Sequence, residues 1–360
     1  MEKALIAMSG GVDSSAAALL MLQAGYECAG ATMHLFQNED AGISREKTCC
    51  SLDDVQDAKL VCAKLGILHY VFNFEGQFRA QVMQRFADSY ERGETPNPCI
   101  LCNRWLKFDA MLTRMHGMGF DYIVTGHYAR VDFDERSGRY RLLRAVDDSK
   151  DQTYVLYSLT QEQLKHVRFP LGAYHKAEIR DIAEKNGFLN ARKKDSQDIC
   201  FVPDGDYAGF LARFTGRTCP AGEFTDLRGN VLGSHPGIIH FTIGQRKVLG
   251  ISAGKPLYVC GIDAAENCVI LGDNADLFSD SLIADDVNLI SVADLTTPMR
   301  VTAKIRYRHE AQPALAWTEG DILHVKFDAP QRAITPGQAV VLYDGDAVVG
   351  GATILGKPNA

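Results

Sequence analysis

The sequence predicts an α/β protein: an open parallel sheet with helices on both faces, followed by a small β-rich central domain and a C-terminal β-barrel. Three observations carry that expectation. Short apolar runs alternate with helical stretches in the first half of the chain, the pattern of repeated βα units. From Arg217 the chain turns rich in glycine and proline, with short alternating segments. The last stretch holds period-two runs separated by turn signals, as small barrels require. The expected domains are 1–214, 215–283 and 284–360.

Ala4 to Met8 is an apolar run fit for a buried parallel strand. Ser14 to Gln23 follows as a helix, capped by Asp13 or Ser14 and stopped by Gly25. Cys28 to Phe36 reads as a second strand, Leu52 to Leu65 as a helix closed by Gly66, and His69 to Phe74 as a third strand. Phe78 to Arg92 is another helix, and Asp121 to Thr125 a fourth strand ended by Gly126. Val131 to Leu143 reads as a hairpin turning at Ser137-Gly138. Lys176 to Asn186 is a helix stopped by Gly187, and Tyr207 to Phe214 a shorter one. Gly216 to Asp273 reads as the β-rich module. Arg300 to Tyr307, Ile322 to Phe327, Ala339 to Tyr343 and Ala347 to Ile354 alternate in and out as barrel strands, with a turn at Asp344-Gly345.

A length of 360 residues with 46% hydrophobic and 23% charged side chains excludes fibre, collagen-like array and disordered tail. The formal charge is −7, so nucleic-acid binding has to rest on local basic patches. Three present themselves: Arg136, Arg139, Arg141 and Arg144 on the hairpin; Lys185, Arg192, Lys193 and Lys194; and Lys304, Arg306 and Arg308, which alternate along an expected strand. No apolar run approaches the roughly 20 residues that cross a bilayer, and Ala4 to Met8 is too short for a signal-peptide core. The expected compartment is the cytoplasm, where thiols stay reduced. Ten cysteines are then no disulfide framework. Cys28, Cys62, Cys219, Cys260 and Cys268 are expected to fill core space, and Cys49-Cys50 to lie in a loop.

Ser9-Gly10-Gly11-Val12-Asp13-Ser14-Ser15 sits between the first strand and the first helix. Two glycines allow a tight turn with bare N–H groups, and the helix adds its positive end, so phosphate oxygens are favoured there. No Gly-Lys-Ser/Thr follows at Walker A spacing. Lacking the lysine that holds a γ-phosphate, the loop suits pyrophosphate better, and Asp13 is placed to help position Mg²⁺. The motif resembles that of the PP-loop ATP pyrophosphatases, whose signature is Ser-Gly-Gly-Val-Asp-Ser. That group includes synthetases and RNA thiolases.

Thr95-Pro96-Asn97-Pro98-Cys99-Ile100-Leu101-Cys102-Asn103 is the second constellation. The prolines keep it extended, and a helix is expected from Asn103 to Met115. Cys102 then lies near a helix N-terminus beside Arg104 and Lys107, features that lower a thiol's pKa. The third constellation runs from Lys193 to Phe201 and contains Cys200 with basic neighbours. Either cysteine alone reads equally as a buried small hydrophobe. Zinc is disfavoured, since no second Cys-x-x-Cys or nearby His pair completes four ligands.

Taken together, these segments resemble the tRNA-specific 2-thiouridylase family nearly end to end. Thr125-Gly126-His127-Tyr128, Lys150-Asp151-Gln152-Thr153-Tyr154, His240 to Lys247 and Thr335-Pro336-Gly337-Gln338 extend the match. The resemblance implies a PP-loop, adenine nucleotide alpha hydrolase-like fold and an enzyme that uses ATP and Mg²⁺ to thiolate the wobble uridine of tRNA, the tRNAs being those for Lys, Glu and Gln. Ser9, Gly10, Gly11, Val12, Asp13, Ser14, Ser15, Met33 and Gly126 would bind ATP. Cys102 would be the nucleophile and Cys200 the persulfide carrier, loaded by a cysteine desulfurase or sulfur-relay protein, and the two would end as a transient disulfide. Asn97, Pro98 and Cys99 would meet the target base, and His127, Lys150, Asp151, Gln152, Arg306, Tyr307 and Gln338 would contact tRNA. Many family members carry Asp where this chain has Cys99, so a third thiol stands near Cys102 and Cys200, and the three together raise an iron–sulfur cluster as a minority reading. Two rivals stay open: another PP-loop enzyme that adenylates a small carboxylate, and a non-catalytic tRNA-binding protein that takes ATP as a conformational ligand.

Overall fold

The computed structural model describes residues 1–37, 52–193, 199–251 and 254–358. Cys49-Cys50 and Lys194 lie outside them. Strand β1 (Lys3–Ala7) has Ala4, Leu5 and Ile6 fully buried, as a parallel strand covered on both faces must be. Helix α1 (Val12–Gln23) follows it, then β2 (Glu27–His34), α2 (Leu52–Leu65) and β3 (Leu68–Asn73). A Cβ at Gly30 of β2 would collide with Cys62 Sγ, so glycine there lets α2 lie close on the sheet. Cys62 is fully buried as expected; Cys28, Cys219, Cys260 and Cys268 are only half-buried.

Beyond β3 the helices depart from the expected regularity. Residues 75–91 form one rod made of α3 (Glu75–Phe78), a π-helical stretch Arg79–Gln84 and α4 (Arg85–Glu91). Residues 98–117 repeat that plan with α5 (Pro98–Leu101), a π stretch Cys102–Ala110 and α6 (Met111–Gly117). This second rod begins five residues before the expected start at Asn103, because Pro98 takes the first helical position, where its missing N–H costs nothing. Strand β4 (Tyr122–Val124) then returns beside β1. The hairpin β5 (Arg130–Asp134) and β6 (Arg139–Leu143) follows, then α7 (Gln161–Lys165) and β7 (Val167–Arg168). The parallel sheet has the order β3-β2-β1-β4-β7. Its fifth strand was not anticipated, since two residues carry no periodicity.

Helices α8 (Lys176–Lys185) and α9 (Tyr207–Thr215) lead to a four-stranded sheet of order β10-β11-β8-β9. Its strands are β8 (Gly222–Asp226), β9 (Val231–His235), β10 (Tyr258–Asp263) and β11 (Cys268–Gly272), packed on Phe224, Phe241, Val259 and Leu271. The barrel consists of β12 (Phe278–Leu289), β13 (Met299–Lys304), β14 (Gln312–Glu319), β15 (Ile322–Arg332), β16 (Ala339–Asp344) and β17 (Ala347–Gly356). Pairing of β12 with β17 closes it and removes the open edges. One hydrophobic core runs from the parallel sheet into the barrel wall, joining Tyr154 and Tyr157 to Val341, Tyr343 and Val348. The barrel is therefore docked against the first module.

Candidate active site

Chain reversal after β1 shapes the phosphate loop. Gly11, not Asp13 or Ser14, is the N-cap of α1, which releases those side chains for other partners. Ser14 Oγ accepts from the Ser9 N–H at 3.2 Å and donates to the Gly11 carbonyl at 3.0 Å. Gly10 has φ +72°, and a Cβ there would lie 2.5 Å from the Asp54 carbonyl oxygen, so only glycine serves. Asn190 Nδ2 donates to the Gly10 carbonyl and to Ser15 Oγ, both at 2.9 Å. The loop is thus held in shape before any phosphate arrives.

Asp13 is held by a cation. Lys176 Nζ, at the start of α8, donates to its Oδ1 at 2.8 Å and its Oδ2 at 2.7 Å, and the Tyr128 hydroxyl donates to Oδ1 at 2.9 Å. A lysine absent from the loop's own sequence thus stands beside the loop, brought there by a distant helix. A lone carboxylate suits Mg²⁺ brought in on phosphates, provided that Lys176 yields its place on Asp13.

A cleft of about 360 Å³ opens beyond β1 and β4, at the point where strand order reverses. Ser9, Asp13 and Ser14 line it, with Met33 from β2 and Gly126 and His127 from the turn after β4. Pro98, Cys99, Cys102 and Cys200 line it too, so candidate residues from five separate segments converge. A Cβ on Gly126 would come within 2.9 Å of Ser14 N, which makes glycine the condition for this turn to touch the phosphate loop. His127 is buried, its Nδ1 2.7 Å from Thr125 Oγ1 and its ring between Phe108 and Phe169. Burial, helped by Lys107, holds the imidazole well below its usual range, so it is neutral at pH 7.

Cys102 corrects the expectation of a low-pKa thiol. Asn97 is the N-cap and its side chain accepts from the Cys99 N–H at 3.1 Å, so Cys102 sits a full turn inside the rod. Arg104 is turned away into a two-pronged pair with Asp286 of β12. Lys107 does lower the thiol, but desolvation outweighs it and pushes Cys102 up to about 11.

Comparison with known proteins decides the affiliation. The family model described as "tRNA methyl transferase HUP domain" matches residues 2–204, "tRNA methyl transferase PRC-barrel domain" matches 208–273, and "Aminomethyltransferase beta-barrel domain" matches 279–354. The chain is 50% identical to the tRNA-specific 2-thiouridylase MnmA of Clostridioides difficile, over 98% of each chain. It is 51% identical to that of Acetivibrio thermocellus over 98% of this chain and 99% of the relative, and 52% identical to one from a Thermoanaerobacter species over 99% and 98%. This chain belongs to the tRNA-specific 2-thiouridylase family. Among solved structures, a 4-thiouridine synthetase–RNA complex with bound ATP covers 56% of this chain and 45% of its own, at 20% identity and a TM-score of 0.36.

In this 2-thiouridylase the remaining candidates fall into two groups. Lys150, Asp151, Gln152 and Tyr307 line a second cavity of about 800 Å³, whose wall shares Ser9, Asp13, Lys107 and Gln152 with the cleft. Asp151 also accepts from Thr153 Oγ1 at 2.6 Å, and Gln152 Oε1 from the Tyr128 N–H at 2.9 Å, which fixes this turn beside the phosphate loop. Arg306 and Gln338 are turned elsewhere. Arg306 donates to the Arg332 carbonyl, and Gln338 Nε2 donates to the Thr95 carbonyl at 2.6 Å.

The basic patches are rearranged. Arg139 donates to the Ile290 and Leu289 carbonyls, Arg141 pairs with Asp132, and the Arg144 guanidinium lies 4.1 Å from the Tyr343 ring centre, so three of the four hairpin arginines serve the fold. Lys193 bonds Asp54 and Asp57. Strand β13 ends at Lys304, which puts Arg306 and Arg308 in a turn rather than along a strand face. Among the described residues no group of three or more His, Cys, Asp or Glu is gathered to hold a metal, so Cys99, Cys102 and Cys200 share a cleft without forming a cluster site. Lys176 and Asn190 escaped the sequence reading. A single Lys or Asn outside any motif gives no local signal, and their roles arise from tertiary proximity to the loop.

Proposed function

We propose that this enzyme replaces the 2-oxygen of the wobble uridine, position 34 of tRNA, with sulfur. ATP binds with its phosphates on Ser9 to Ser15 and its adenosine against Met33 and Gly126, and Mg²⁺ would be held on the phosphates with Asp13. The uracil 2-oxygen is a poor leaving group, so it first attacks the α-phosphorus and expels pyrophosphate. The base has to leave its stack to reach the cleft, where Pro98 and Cys99 line the wall and Asn97 caps their helix, and these three would meet it. A persulfide on Cys200, loaded by a cysteine desulfurase or sulfur-relay protein, supplies the sulfur. The tRNAs for Lys, Glu and Gln are the substrates, with Lys150, Asp151, Gln152 and Tyr307 along their path.

Two orders of attack balance atoms and electrons. Cys102 thiolate can attack Cys200 and expel hydrosulfide, which then displaces AMP. Alternatively, the terminal persulfide sulfur attacks the activated carbon and displaces AMP, after which Cys102 attacks Cys200 Sγ and releases 2-thiouridine. Both end in a Cys102–Cys200 disulfide. A Cys102 thiol pushed up to about 11 is protonated when the substrate arrives, which favours the second order, because Cys102 then acts last.

The observation that carries this reading is the convergence of the phosphate loop, Gly126, Cys102 and Cys200 on one cleft. To test it, the chain is incubated with ATP, Mg²⁺, a cysteine desulfurase, cysteine and unmodified tRNA, and nucleosides are analysed by mass spectrometry. The expected products are 2-thiouridine at position 34 and tRNA-dependent AMP and pyrophosphate in equal amounts, with thiolation abolished in Cys102→Ser. AMP formation that requires a small carboxylate instead of tRNA would sink the proposal in favour of a synthetase.

A further inference from the structure

The sulfur-transfer scheme uses two of the three thiols that line the cleft and gives no redox task to Cys99. Its position differs in kind from theirs: Cys99 is exposed, whereas Cys102 and Cys200 are half-buried. Cys99 and Cys102 stand three apart on one helical rod, hence on one face with Cβ atoms about 5–6 Å apart. A disulfide spans Cβ atoms about 3.5–4.5 Å apart, so closing the pair needs a shift of about an ångström. That shift falls in the first helical turn, where no i−4 hydrogen bonds hold the leading N–H groups. The Cys99 N–H is instead held by the Asn97 side chain at 3.1 Å, a contact that moves with the turn.

Access supplies the reason for a third thiol. A cleft of about 360 Å³ admits a small ligand but not the body of a protein reductant. Cys200 is reached there by its persulfide donor, but Cys99 is the most exposed of the three thiols, so a Cys99–Cys102 disulfide meets a dithiol protein more readily than a Cys102–Cys200 disulfide does and leaves Cys200 open to the donor.

Resting on the sulfur-transfer reading above, we propose that Cys99 is the resolving thiol of the cycle, carrying oxidation from the Cys102–Cys200 disulfide to the cleft rim. Cys99 thiolate attacks Cys102 Sγ, the bond to Cys200 breaks, and Cys200 leaves as a thiolate that takes a proton from water. No electrons are gained or lost in this exchange. The resulting Cys99–Cys102 disulfide is then reduced by an external dithiol, which supplies two electrons and two protons and becomes a disulfide itself. Cys200 is meanwhile ready for a new persulfide.

The test is a single turnover without reductant, using full-length enzyme loaded with persulfide, ATP, Mg²⁺ and tRNA. The reaction is quenched in acid, alkylated, and mapped by mass spectrometry of non-reduced peptides, with each bridge normalised to the 2-thiouridine formed. In the wild type the bridged peptide should be Cys99–Cys102. In Cys99→Ser the bridge should shift to Cys102–Cys200, and subsequent reduction by thioredoxin should slow about tenfold or more relative to reduction by dithiothreitol. A wild-type end product bridged as Cys102–Cys200, or equal thioredoxin sensitivity of the two proteins, overturns the resolving role while leaving the transfer scheme standing. Thiolated product from Cys99→Ser with no Cys102–Cys200 bridge overturns the transfer scheme, and the resolving role with it.

Discussion

Lys176 reaches Asp13 across a sequence separation of 163 residues, and its side chain is 10% exposed there. A cation so placed beside a phosphate loop has two partners to choose between: the carboxylate now, and a triphosphate once nucleotide binds. Charge-assisted hydrogen bonds of this kind contribute about 1.5–3 kcal/mol. Lys176→Met should therefore weaken ATP binding roughly tenfold to a hundredfold, with adenosine binding little changed and Lys176→Arg recovering part of the loss. Calorimetric titration with ATP and with adenosine checks this, and equal losses for both would reduce Lys176 to a structural role. At this scale the sequence was only partly legible. The glycines and serines of the loop announce themselves because backbone geometry demands them locally. Lys176 and Asn190 act through contacts that chain topology creates, and the thiol of Cys102 is governed by desolvation, which no neighbouring residue in the sequence reveals.

Between the barrel and the cysteine rod lies a contact of two loops. Thr95 N–H donates to the Pro336 carbonyl at 2.9 Å, and Gln338 returns a bond to the Thr95 carbonyl. Gly337 sits between them at φ +85°, where a Cβ would lie 3.0 Å from Glu94 Cβ and 3.1 Å from Thr95 N. This places Gln338 as a buttress for the segment that leads into Pro98 and Cys99. Gly337→Ala pays twice, in left-handed backbone and in crowding of Thr95, and should destabilise the protein by about 1–3 kcal/mol. Urea denaturation reads that loss, and thiolation should fall further than the folded fraction does because the rod carrying Cys102 is displaced. Helix α8, with its apolar stripe, and α1 and α2, closed by Gly25 and Gly66, were legible. The rod at 98–117 was not, since Pro-x-Pro reads as extended until Pro98 is recognised as a helix opener. Its π-helical stretch likewise has no signature in apolar spacing.

Over the whole molecule, a charge of −7 has to be reconciled with a polyanionic substrate. Where the proposed function brings tRNA, Lys107, Lys150, Lys176, Lys193, Lys304 and Arg308 gather around the 800 Å³ cavity beside the phosphate loop. Asp13, Asp54, Asp148, Asp151 and Glu310 share that wall, five acids against six cations, with Lys193 bonded to Asp54 and Lys176 to Asp13, so the local excess of positive charge is small. The module order along the chain was readable from composition and strand spacing, whereas this convergence depends on barrel docking through the shared Tyr154 and Tyr343 core. A cavity with few uncompensated cations should give tRNA affinity with a shallow salt dependence. Arg308, exposed on the turn after β13, is the side chain whose removal tests this without disturbing the core. Arg308→Ala should weaken tRNA binding uniformly across tRNA sequences and reduce the slope of log K against log salt by about one. Filter binding of unmodified tRNA from low to moderate salt measures both, and an unchanged slope would place the phosphate path elsewhere than this cavity.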